Sequence, residues 1–73
     1  MPGRNELIAR KGEVQARIRS LRPRVDAAAG RAGAATGIHR RVLSARLASL
    51  QAELDALMAE ETRLRLEIDR TQR

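Results

Sequence analysis

Cysteine is absent from the 73-residue chain. That excludes disulfides, thiolate metal sites and a cysteine nucleophile at once. Phenylalanine, tyrosine and tryptophan are absent too, so no ring is present on which unpaired bases could stack, and sequence-specific reading of RNA or single strands is not expected. Histidine occurs once, at His39, with no carboxylate at ligand spacing from it. Neither a metal site nor an acid–base centre can be assembled around it, and the chain is expected to be no enzyme and to need no cofactor. No apolar run approaches the roughly 20 residues that span a bilayer, and the opening MPGRNELIARKG has no apolar signal core. The expectation is a cytoplasmic protein that makes no membrane contact.

What remains is rich in arginine and alanine. The 15 Lys+Arg residues include a single lysine, Lys11, and outweigh 9 Asp+Glu to give a net charge of +6. The excess is unevenly placed: eleven basic and three acidic side chains lie at or before Arg46, four basic and six acidic after it. The chain is therefore electrically polar from end to end.

Its organising pattern is a leucine seam. Leu43, Leu47, Leu50, Leu54, Leu57, Leu64 and Ile68 follow one another in steps of four and three, with Glu61 as the polar interruption. That is the repeat of a coiled-coil helix. Leu7, Val14, Ile18, Leu21, Val25 and Ala28 form a matching series once Lys11 is counted. Asn5 is a candidate cap for this first helix, Gly12 weakens it, and Pro23 removes a backbone donor. The reading is helix one over about residues 5–29, kinked or divided near Pro23; a turn over about 30–36 in the sequence GRAGAATG; and helix two over about 37–71, capped by Thr36. GRAGAATG lacks the Gly-Lys-Ser/Thr ending of a phosphate-binding loop and serves as a chain reversal. Its glycines also argue against a basic-leucine-zipper arrangement, which needs an unbroken basic helix ahead of the leucines.

A reversal can be tested by register. One constant offset pairs Val25 with Leu43, Leu21 with Leu47, Ile18 with Leu50, Val14 with Leu54, Lys11 with Leu57 and Leu7 with Glu61, centring the turn on Ala34. The flanks then supply an independent check. Arg10 meets Glu60 and Arg17 meets Glu53 on one side, Ile8 meets Met58 and Gln15 meets Gln51 on the other, and Lys11 can reach Glu61. The expected fold is all-α, an antiparallel helical hairpin forming a two-helix coiled coil.

In this register Leu64 and Ile68 lie past the start of helix one and stay uncovered. Together with Leu66 and the alanine strip Ala45, Ala52 and Ala59, they are expected to join two hairpins into a dimeric four-helix bundle. At the other end, Arg24 faces Arg46 and Arg31 faces His39, with Arg22, Arg40 and Arg41 nearby. These six arginines are the expected anion- or partner-binding residues. Their cations also crowd the start of helix two, where the helix dipole disfavours positive charge, which points to an external anion. The expected function is stoichiometric binding by a small adaptor or inhibitor, as in a phage- or plasmid-type regulator. Its partner is expected to be an acidic or nucleic-acid-binding protein machine that offers an acidic surface, or, on the alternative readings, a nucleic acid or ribonucleoprotein held through phosphates, or a larger coiled-coil assembly.

Overall fold

A computed structural model describes residues 3–71 as two helices, α1 over Arg4–Ala34 and α2 over Gly37–Thr71. They pack antiparallel as a hairpin with extents of 55 × 15 × 14 Å. Neither helix is long and apolar enough to cross a membrane.

In α1 the buried side chains are Leu7, Val14, Ile18, Leu21, Ala28 and Ala32, which recur at the three- and four-residue steps that keep one stripe turned to a neighbouring helix. The helix begins two residues earlier than an Asn5 cap would set it. Gly3 occupies the N-cap position in an extended conformation without a side-chain cap bond, and its carbonyl accepts the Leu7 amide at 3.1 Å. Asn5 accordingly lies inside the first turn. Pro23 also lies inside the helix, which runs on without division. The side chain is exposed and faces away from the seam, so the carbonyl that loses its helical donor, that of Arg19, is also on an exposed residue.

The turn is shorter than the glycine-rich sequence suggests. Gly30 and Gly33 are helical, and only Ala35 and Thr36 separate the helices. Each helical glycine costs about 1 kcal/mol relative to alanine. The surrounding alanines are strong helix formers, and burial of Ala28 and Ala32 extends the packed stripe through both glycines. At the end of α1 the Ala35 amide bonds the Arg31 carbonyl at 3.2 Å. Thr36 gives α2 its backbone carbonyl, which accepts from the Arg40 amide at 3.4 Å. Gly37 is where glycine is required, because its φ of 66° lies in the left-handed region.

Lengthening α1 moves the chain reversal from the glycine-rich stretch to Ala35–Thr36. The expected overhang disappears. Leu64 and Ile68 are 9% and 8% exposed and belong to one buried cluster with Leu7, Val14 and Ile18. They are the buried residues of α2, whereas Leu43, Leu47, Leu50, Leu54 and Leu57 are only half-buried. The expected overhang is thus corrected, since the C-terminal pair is inside the hairpin, while the leucines nearer the turn are half-buried and Leu54 and Leu57 pack against the core cluster.

Candidate functional site

The flank ion pairs form as the register requires. Arg10 Nε donates to Glu60 Oε1 at 2.8 Å, and Arg17 Nη2 donates to Glu53 Oε1 at 2.8 Å. Arg10 also reaches Glu13 at 3.2 Å. The bonds to Glu60 and then Glu13 raise the Arg10 pKa above the usual arginine value. Arg10–Glu60 and Arg17–Glu53 are the two flank ion pairs expected from the sequence register. Glu61 itself bonds Arg65 Nη2 at 2.8 Å within α2. The expected partner, Lys11, is half-buried on α1.

Seven residues further towards the turn, the same flank carries Arg24 and Arg46; seven further still, Arg31 and His39. Four successive rungs therefore share one frame. The two distal rungs are ion pairs, and the two nearest the turn contain no carboxylate. Asp26 is the only acidic residue between Arg22 and Arg46.

An open groove of about 550 Å³ lies here, with Arg31, His39 and Arg46 at its edges and Ala28, Ala34 and Leu43 contributing apolar surface. Small side chains, Ala28, Ala34 and Ala35, make up much of its lining. The structure thus brings Arg31 and Arg46 together with His39. Arg40 and Arg41 are exposed in the first turns of α2, where no acidic residue offsets them, and Arg24 is exposed on α1. Arg22 lies about 18 Å down the helix from Ala34. There it borders a different hollow, with Gln15, Ile18, Arg19 and Glu61.

The side of α2 turned away from α1 holds two residues that the leucine seam did not reveal. Ile38 and Val42 are 80% and 62% exposed, close to the arginines of the turn. Ala45, Ala52 and Ala59 continue this side, all exposed, to Leu66, which is 55% exposed. The signal was present as a second series of four- and three-residue steps, Ile38, Val42, Ala45, masked by the stronger leucine pattern. Of the apolar residues expected to serve oligomerisation, Leu66 is therefore on the surface, while Leu64 and Ile68 are in the intramolecular core.

Comparison with protein-family models, with curated proteins and with solved structures finds no match to this chain.

Proposed function

We propose that this chain is a non-catalytic binding protein, an adaptor or inhibitor that self-associates and docks an acidic protein segment in the groove at its hairpin tip. The observation that carries the reading is the break in the flank ladder. Arg10–Glu60 and Arg17–Glu53 are paired, whereas the next rung in the same frame holds two arginines, Arg24 and Arg46, and no carboxylate. A chain optimised only for its own hairpin would continue the ion pairs, since a like-charge rung is destabilising. The arginines are accounted for if an external anion completes the ladder.

The groove surface favours a protein over a nucleic acid as that anion. Apolar atoms of Ala28, Ala34 and Leu43 lie between the cations, and Leu43 is half-buried with surface to spare. An amphipathic helix presenting acidic residues about 10 Å apart, one turn set per heptad, matches both the apolar floor and the cationic rim. A phosphate backbone matches the rim alone.

Fluorescence anisotropy with a labelled Glu/Leu amphipathic peptide and with a labelled DNA duplex and RNA hairpin separates the possibilities. The peptide is expected to bind, and Arg31→Glu with Arg46→Glu to abolish that binding while the helical circular dichroism is retained. Tighter binding to the nucleic acids, with affinity falling steeply as salt rises, would replace this reading with phosphate binding. No binding to any of the three would leave a structural coiled-coil role.

A further inference from the structure

Between about pH 5 and pH 8 histidine is the side chain whose charge changes, while arginine keeps its charge throughout. The chain has one histidine, His39, and the fold sets it in the tip groove. Its position follows from the turn. α2 begins at Gly37, whose left-handed φ ends the chain reversal, so His39 is the third residue of the helix. Arg46, seven residues on, returns to the same side of α2, and Arg31 comes from α1 to line the same groove.

The charged side chains that share the groove with the imidazole are both arginines. Nearby on α2, Arg40 and Arg41 follow His39 directly; on α1, Arg24 lies one heptad before Arg31. Asp26, the one carboxylate between Arg22 and Arg46, is exposed on α1 and forms no part of the lining. Among the described residues no carboxylate lines the groove. Any negative charge that the imidazole meets there comes with the ligand.

Resting on the docking of an acidic segment proposed above, we infer that His39 makes this docking proton-linked: the groove takes up a proton as the segment binds, and holds the segment more tightly at pH 6 than at pH 8. A carboxylate docked between Arg31 and Arg46 gives the imidazolium an opposite charge to face, whereas the neutral ring offers it none. Protonation and docking therefore favour each other, so the added affinity is present while the ring is charged and is lost as rising pH removes its proton. Carboxylates of the segment stay ionised down to pH 6, and the arginines stay charged throughout, so neither contributes over this window. Because His39 is exposed, the effect is that of a surface ion pair, about two- to fivefold in affinity. Docking is thus graded by pH, with the arginines supplying the constant part.

The chain has no other histidine and no phenylalanine, tyrosine or tryptophan, so the ring protons of His39 are the only carbon-bound aromatic protons in its NMR spectrum. Following His39 Hε1 against pH, with and without a saturating unlabelled Glu/Leu amphipathic peptide, reads the linkage at the group itself. The titration midpoint is expected to move up by about 0.3–0.7 in the complex, the same two- to fivefold seen from the proton's side. Anisotropy with the labelled peptide should show that gain from pH 8 to pH 6 in the wild type and not in His39→Gln, which keeps a polar side chain at an exposed position but cannot take up charge. The α-amino group titrates in the same window in both chains, so the difference between them belongs to His39. A peptide that binds with the midpoint unmoved, or whose affinity depends equally on pH in both chains, overturns the proton linkage and leaves acidic docking intact. A peptide that binds neither chain at pH 6 or at pH 8 overturns both.

Discussion

Replacing Leu64 by alanine probes the placement of the C-terminal end of α2 in the core. Leu64 is 9% exposed and packs in the cluster that contains Leu7 and Ile68, whereas Leu66, two residues on, is 55% exposed. Truncating a buried leucine removes its transfer free energy and leaves a cavity, together about 2–5 kcal/mol. A two-helix hairpin can close over such a gap more readily than a large domain, so Leu64→Ala should fall at the low end, about 2 kcal/mol. At about 4–8 °C per kcal/mol for a chain of this size, the melting temperature drops by about 8–16 °C. Leu66→Ala, with more than half of its surface already in water, should change stability by under about 0.5 kcal/mol when measured where the chain is monomeric. Thermal unfolding followed by circular dichroism, repeated over a range of protein concentrations, separates this core effect from any contribution of association. Equal effects of the two substitutions, or a larger one at Leu66, would refute the inward placement of Leu64 and restore the overhang.

The glycines give a contrast of sign. Gly33→Ala, at a helical position with open space around the added methyl, should stabilise by about 0.4–1 kcal/mol, while Gly37→Ala, at a φ of 66°, should destabilise by about 1–2 kcal/mol; urea unfolding of both variants checks the pair. For the flank, Arg17→Glu should lower stability and the added Glu53→Arg should recover part of the loss, with a coupling of about 0.2–1 kcal/mol that shrinks in high salt; additivity in a double-mutant cycle would deny the contact.

The hairpin was legible in the sequence because two constraints of different kind agreed. The apolar steps of both helices asked for a partner helix, and Arg10, Arg17, Glu53 and Glu60 matched only when the chain folded back on itself. The position of the turn was not legible. Gly30 and Gly33 signal a break locally, and helix propensity alone cannot weigh them against the burial of Ala28 and Ala32, which exists only once α2 is in place. The error carried through to function: with the turn centred on Ala34, Leu64 and Ile68 had nothing to cover them, and with it at Ala35–Thr36 they do. At the tip, the rungs Arg24–Arg46 and Arg31–His39 could be read from spacing, but the groove lined by Arg31, His39 and Arg46 with Ala28, Ala34 and Leu43 exists only once the helices pack. Ile38 and Val42 belong to a weaker repeat on the face behind the leucine seam, and the stronger periodicity of the leucines masks it.

The claim that the tip holds its charge for an external anion is tested most directly by the melting curve of Arg24→Glu, with and without the acidic amphipathic peptide. Extending the ion-pair ladder by one rung to Arg46 should raise the melting point of the free hairpin, by the several degrees that correspond to about 0.2–1 kcal/mol. The peptide should then stabilise the variant less than it stabilises the wild type. A variant that melts no higher than wild type, or that keeps the full peptide-induced shift, would contradict the account.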